Sequence, residues 1–454
     1  MNIDFLGAMA DRLPGTSGAA MAQQWFGAIP EGFVSNPTRS RYPVIAAKLP
    51  WAAATASRRV HRTLEYAKRW WFEETRATAT MSLPAAIEQL RRAKKAYEDF
   101  TSDHIIAQMA VVQPMFEAVQ KIATAAGAEE LTDKLLVGYG SHAELEVVEG
   151  LWALSCDEIT VEEFLAEHGA YAPLQGELDC WSWREDSSPV ERLREQYRNQ
   201  DLAQSPARSD AARAAERATA RAEVMSRLPR HRRALAAAVF KFAAGAIPLR
   251  GTAKAASLRA IDVGRAAARQ IGAHLVAAGI VAEPADVFYL TVEELVAAND
   301  GQYADTIAKR RALRQGYLGL TIPAYWRARP EPTAIESQDR EEREVRIVAC
   351  GASSGVVEAP VRVLLDPYSD DIDPGEILVA RFTDPGWASV MYLAGALVVD
   401  IGGLQSHAAV IARELGIPCV MGTIDGTMQL RTGDICRVDG LAGTVELVKP
   451  CGGP

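Results

Sequence analysis

Apolar positions along this chain change their period near residue 345. From Pro43 to about Gly127 they recur every three or four residues, which lays one apolar stripe along a helix. Pro50-Trp51 predicts the start of one helix running through Val60, Leu64, Tyr66 and Trp70-Trp71. Ser82-Leu83-Pro84 predicts the N-cap and first turn of a second, with Leu90, Ala93, Tyr97 and Phe100 as its stripe. Further helices are expected over residues 105–125, 144–154 and 161–168. The period then lapses from His168 to Asp186, where polar and aromatic groups crowd one long loop, a kind of segment that often carries function. Residues 207–233 mix Ala, Arg and Glu as a solvated helix with charge pairs does. Ala-rich helices follow to residue 278, then a short extended piece over Val287 to Leu290 and a helix capped by Thr291. Glycines and prolines break residues 1–45, which give no clear element.

Beyond Val345 the pattern becomes short apolar runs separated by Gly, Pro and Asp turns, the mark of strands. They begin at Arg346, Val361, Glu376, Ala396, Cys419, Ile435 and Thr444, with one short helix after Pro385 and another at His407. The stretch from 327 to 343, charged and rich in Pro and Glu, reads as a linker.

Composition narrows the function. The chain has 454 residues, 48% hydrophobic and 24% charged, as globular proteins do. A net charge of −9 opposes general nucleic-acid binding. The sequence shows neither an 18-residue apolar run nor a basic-then-apolar N-terminus, so no membrane span or signal peptide is expected. The six cysteines form no CxxC pair and no Cys/His cluster, so no metal site is expected and reduced thiols in a cytoplasmic protein fit. Neither a GxxxxGK[ST] loop nor a strand–GxGxxG–helix unit is present, so this chain is not expected to cleave ATP by those routes.

The chemistry centres on residues 396–419. Ala396-Leu-Val-Val399 reads as a buried strand, Gly402-Gly403 as a turn, Ser406 as an N-cap and His407 as a first-turn helix residue before the stop at Gly416. A neutral imidazole there can act as a nucleophile, and the helix end would stabilise a phosphoryl group on it. Gln405, Ser406 and Thr383 are candidates to hold that group or the ring, and Arg413 lies two turns along the same helix. Asp384 either orients a ring N–H or caps the helix at Pro385.

Gly351-Ala-Ser-Ser-Gly-Val-Val-Glu, Pro374-Gly-Glu-Ile-Leu-Val-Ala, Thr383-Asp-Pro-Gly-Trp387 and Gly402-Gly-Leu-Gln-Ser-His-Ala-Ala-Val-Ile-Ala-Arg-Glu-Leu-Gly-Ile-Pro418 carry a specific resemblance. Residues 345–449 resemble the mobile phosphohistidine domain of the pyruvate phosphate dikinase and phosphoenolpyruvate synthase superfamily, which implies that His407 is phosphorylated and dephosphorylated in turn. His168-Gly169, Gly176-Glu-Leu-Asp179, Trp183-Arg-Glu-Asp186 and Ala285-Asp-Val-Phe-Tyr-Leu-Thr-Val-Glu-Glu-Leu295 resemble the substrate-binding domain of the rifampin phosphotransferase family. Members of that family tend to place a second His and an Arg where this chain has Ala170 and Tyr171.

The expected architecture is therefore multi-domain, a mostly α-helical substrate-binding domain followed by a compact α/β swivelling phosphohistidine domain. Its expected bounds are an irregular segment 1–45, the helical domain 46–326, a linker 327–344, the phosphohistidine domain 345–449 and a tail 450–454. The resemblance implies a dikinase-like phosphotransferase component. With no ATP-grasp domain in this sequence, ATP and magnesium are expected to act through a separate ATP-grasp protein, and no cofactor is expected on this chain alone. The acceptor is expected to be a small organic molecule near His168, Glu177, Asp179 and Trp183. The competing expectations are an enzyme that uses His407 as a general acid or base for dehydration, cyclisation or condensation, and a non-catalytic partner of an ATP-grasp subunit.

Overall fold

The computed structural model describes residues 3–12, 17–26, 29, 32–139, 143–200, 205–296, 303–322, 329–334, 345–404 and 406–451. Gln405 and most of the expected linker lie outside them. The helical part comprises α1 (Ile3–Ala10), α2 (Gly18–Phe26), α3 (Tyr42–Thr78), α4 (Leu83–Ala107), α5 (Gln113–Ala125), α6 (Thr132–Leu135), α7 (Ala143–Ser155), α8 (Val161–His168), α9 (Ser188–Arg198), α10 (Pro206–Arg227), α11 (Arg230–Ala246), α12 (Leu249–Ala277), α13 (Val292–Val296) and α14 (Ala304–Leu318). A two-stranded ribbon, β1 (Leu320–Thr321) and β2 (Thr333–Ala334), follows.

Helix α12 is the axis of this part and packs on α3 and α4. It is Ala-rich and buried along most of its length, which lets neighbours approach closely, yet it also buries Arg259, Asp262 and Arg265. The stretch from Arg230 to Ala277 is long and apolar enough to cross a bilayer by composition. The buried ionic groups of α12 have intramolecular partners, as in the core helix of a globular bundle.

Residues 1–45, expected to be irregular, hold α1, α2 and the start of α3, and three further boundaries depart from the sequence pattern. Helix α3 opens at Tyr42, with Pro50 inside it, so the helix starts before the expected Pro50-Trp51. The helix expected over 105–125 carries a π-turn at Gln108–Val112 just before Pro114. A proline there has no N–H and its ring collides with the carbonyl four residues back, and the wider turn relieves both. Of the piece expected to be extended, Val287 to Leu290, only Leu290 is: Pro284–Tyr289 forms a 3-10 turn, fixed by Pro284 and a reciprocal Glu283/Asp286 capping pair.

The C-terminal part is one eight-stranded sheet of order β3-β10-β9-β5-β6-β7-β8-β4. Its strands are β3 (Arg346–Val348), β4 (Cys350–Ser353), β5 (Val356–Leu364), β6 (Ile377–Ala380), β7 (Ala396–Val399), β8 (Cys419–Met421), β9 (Ile435–Asp439) and β10 (Thr444–Lys449), with helices α15 (Ala388–Met391), α16 (His407–Leu415) and α17 (Gly426–Gln429). Strands β5 to β8 run parallel. Every residue of β6 and β7 is buried, as expected for parallel strands covered on both faces. Ile377, Val379, Ala396 and Val398 face one core. Leu378, Ala380, Leu397 and Val399 face a second, shared with Leu151, Phe164, Tyr171, Trp183 and Tyr197 of the helical part. The α15–α16 side of the sheet is thus docked on the helical bundle, and Tyr197 Oη donates to the Ser389 carbonyl at 2.8 Å across the seam.

Candidate functional site

His407 is the first residue of α16, delivered by the loop that leaves β7. Asp400 anchors this loop: its buried carboxylate accepts from Thr423 Oγ1 at 2.7 Å and from the Thr427 backbone N–H at 3.2 Å. Burial pushes the Asp400 carboxyl up, while these bonds pull it down. Gly402 sits at φ +144, and a Cβ there would lie 2.5 Å from Met421 Cε and 2.9 Å from Ser406 Cβ. Only glycine fits that corner.

Thr383, in the loop after β6, places its Oγ1 2.8 Å from His407 Nδ1. Parallel pairing of β6 with β7 brings the two loops to the same sheet end. Ser406 occupies the N-cap position with extended backbone, but its side chain makes no capping bond. Its hydroxyl lies 4.0 Å from Met421 Sδ instead, which corrects the expected cap. Arg413 is also placed differently. It is buried in the α16 face against β4 and donates to the carbonyls of Ala352, at 3.1 Å, and Leu404. Burial lowers its pKa, and these bonds commit it to bracing the turn before His407, not to meeting a ligand.

The structure does not bring the four substrate-binding candidates together. His168 is half-buried at the end of α8, with Phe164 at a 4.9 Å ring-centroid distance and Tyr171 at 6.1 Å. Burial, reinforced by the Arg259 charge, lowers its pKa from 6.5 to about 4, so its ring is neutral near pH 7. Trp183 is only 1% exposed and stacks on Tyr171, a core residue and not a pocket wall. Glu177 is exposed, and it is its backbone carbonyl that is used, accepting from Arg265. Asp179 pairs with Arg314 Nη1 at 2.6 Å. Loop residues read as ligands from sequence alone are instead divided between core, solvent and an ion pair.

The loop's organisers lie on α12, at positions 259, 262, 265 and 269, three or four apart and therefore on one helix face. Arg265 donates to the carbonyls of Gln175 at 2.9 Å and Glu177 at 2.8 Å. Asp262 accepts from Trp71 Nε1 at 2.7 Å and Arg184 Nε at 3.0 Å. Arg269 donates to the Cys180 carbonyl at 2.9 Å. Charged residues at helical spacing in an Ala-rich run were the available signal.

So held, the loop meets the site. Asp384 caps the turn Pro385–Trp387 by accepting from Gly386 N at 2.9 Å, and its other oxygen accepts from Gln175 N at 3.0 Å. Burial raises its pKa, opposed by those two N–H groups and by the charges of Lys254 and Arg265. A Cβ on Gly386 would lie 2.5 Å from the Ala172 carbonyl oxygen. Val410 and Ile411, one turn on from His407, line a narrow crevice of about 30 Å³ with Gln108, Val112, Arg250 and Gly251. Arg250, at the start of α12, thus faces Val410 and Ile411 of α16 across this crevice, and the charge of Lys254, one turn further along α12, reaches Asp384. Neither cation was singled out from sequence. Among the described residues no group of three or more His, Cys, Asp or Glu side chains is placed to hold a metal.

A helical bundle is thus docked through a clamped loop onto an α/β domain that carries a helix-initial histidine. Residues 372–443 match the family described as PEP-utilising enzyme, mobile domain, and residues 76–251 match the rifampicin phosphotransferase fourth domain. Rifampicin phosphotransferase of Streptomyces sviceus is 35% identical over 176 residues, 38% of this chain and 20% of that protein. An uncharacterized protein of Mycobacterium bovis is 36% identical over 192 residues, 42% of this chain and 22% of that protein. An uncharacterized phosphotransferase of Bacillus subtilis is 34% identical over 190 residues, 39% of this chain and 23% of its own length. The matches thus span about a fifth of these relatives. The solution structure of an Enzyme I protein covers 81% of both chains at 15% identity with a TM-score of 0.20, too low to argue a shared arrangement.

Proposed function

We propose that this chain is a phosphotransferase component whose His407 carries a phosphoryl group to a small organic acceptor held by the helical part. The observation that carries the reading is the 2.8 Å contact between Thr383 Oγ1 and His407 Nδ1 at the start of α16. A hydroxyl accepting from Nδ1–H leaves the lone pair on Nε2. Nε2 attacks the donor phosphorus; an N–P bond forms and the donor's P–O bond breaks. An acceptor hydroxyl then forms the new O–P bond, the N–P bond breaks, and the hydroxyl proton leaves to a base. The α16 N-terminus would stabilise the charge of the transferring group.

The donor is ATP with magnesium, used by a separate ATP-grasp protein that loads His407. The cysteines, all free thiols, suit a cytoplasmic setting.

The test is labelling. The protein is mixed with γ- or β-labelled ATP, magnesium and candidate ATP-grasp proteins encoded beside it. Acid-labile, base-stable label is expected on the wild type and none on His407→Asn. Activity that depends on His407 without any label would replace this reading with acid–base chemistry at the seam.

A further inference from the structure

A second cavity, about 360 Å³, opens along the seam at the other end of α16 from His407, beside Leu415 and Ile417. Both parts of the protein build it. The bundle contributes α7 and the start of α10, while the α/β domain contributes the turn at Pro374-Gly375 and the Tyr392–Gly395 segment. Its volume lies in the range of small-molecule pockets.

The lining combines three unmet polar groups with an apolar wall. Gln200 Nε2, Arg213 Nε and Asp210 Oδ1 are buried atoms with no hydrogen-bond partner among the described residues. That is two donors and one acceptor, with a cation and an anion one helical turn apart on α10. Glu149 adds a second carboxylate to the lining. Burial lowers the pKa of Arg213, with Glu414 and Asp210 acting the other way. Leu145, Val148, Leu393 and Leu415 supply the apolar surface. Buried polar atoms left unmet cost free energy, so a site with this pattern points to what would meet it.

We propose that this cavity binds a free amino acid with an apolar side chain, or a close zwitterionic analogue. Its carboxylate pairs with Arg213 and Gln200, its ammonium with Asp210, and its side chain packs on the leucine and valine wall. A simple anion would satisfy Arg213 but meet Asp210 and Glu149 unfavourably, and a simple cation the reverse. Because both parts form the walls, a bound ligand holds the seam closed. The assignment does not depend on phosphoryl transfer by His407.

Calorimetric titration of the full chain with L-leucine and L-phenylalanine tests it. One-to-one saturable binding of at least one is expected. The single-headed analogues 3-phenylpropionate and phenethylamine should bind roughly tenfold more weakly or worse, because each leaves one buried charge unpaired. Arg213→Met and Asp210→Asn should weaken amino-acid binding by a similar factor with unliganded circular dichroism unchanged, and Ser209→Trp should block it by filling the space. Binding of neither amino acid, meaning a cavity that holds only water, overturns the proposal. So does equal binding of the single-headed analogues, a comparison that needs no variant to fold.

Discussion

At the scale of single residues, Thr383 and His407 act as a pair. The Thr383 hydroxyl lies 2.8 Å from the imidazole Nδ1. Thr383→Val keeps the shape and removes the hydroxyl, so the ring loses the contact that orients it. We expect phosphoryl labelling of His407 to slow by on the order of 10- to 100-fold. Rapid-quench labelling measures this, and unchanged thermal unfolding would separate it from a folding defect. His168 makes a different residue-scale prediction. Its folded pKa is about 4 against an ordinary 6.5. The unfolded chain therefore binds the proton first as pH falls. The stability from keeping this ring neutral is full above pH 6.5 and is lost as pH drops towards about 4. The slope is at most about 1.4 kcal/mol per pH unit for one proton. Urea midpoints at pH 7 and 4.5 should separate more for the wild type than for His168→Leu. Equal separations would mean that the ring is not sheltered as the structure has it.

At the scale of elements, α12 acts as a rigid rod that holds the 169–186 loop. Arg265 is 1% exposed and meets the carbonyls of Gln175 and Glu177. Arg265→Met leaves those carbonyls without their charged donor, and we expect a loss of about 3 kcal/mol or more. Limited proteolysis should then cut within 169–186 before any other described segment. Equal protection in wild type and variant would show that the loop holds itself. The same elements show what the sequence made legible. Strands β6 and β7 and the His407 helix were readable because their apolar runs, the Gly402 corner and the Gly416 stop are local signals. Helix α8 falls where it was expected, over 161–168, and is closed by a reciprocal cap between Thr160 and Glu163. The roles of Glu177, Asp179 and Trp183 were not, because they depend on Arg265, Arg314 and Tyr171, partners distant in sequence or hidden in the packing. Arg413 was misplaced for the same reason: its carbonyl partners Ala352 and Leu404 belong to other elements.

At the scale of the whole molecule, the proposed carrier role turns on how firmly the two parts are docked, since a carrier must leave one partner to reach another. The seam holds opposing features. The Tyr197–Ser389 bond, the Tyr197–Tyr392 stack at 5.0 Å and the Asp384–Gln175 bond close it. Against them, the Gln175 side-chain amide, 2% exposed, and the indole N–H groups of Trp183 and Trp387 are buried with no hydrogen-bond partner among the described residues. Each such group costs about 1–3 kcal/mol, which offsets a good part of the apolar burial. Two substitutions should therefore shift the docking equilibrium in opposite directions. Gly386→Val puts a side chain where a Cβ already lies 2.5 Å from the Ala172 oxygen, so the parts must separate. Gln175→Leu removes the unmet amide, keeps the backbone N–H that bonds Asp384, and adds apolar contact. We expect the first to raise the radius of gyration in solution scattering and to speed amide exchange in 169–175 and 384–392. The second should slow exchange there, by up to roughly tenfold per 1.4 kcal/mol gained. If docking limits the carrier's release, Gln175→Leu will also slow turnover while leaving single-event labelling of His407 intact. Exchange at the seam that is the same in both variants would mean the two parts form one rigid body, and delivery would then require the partners, not the domain, to move.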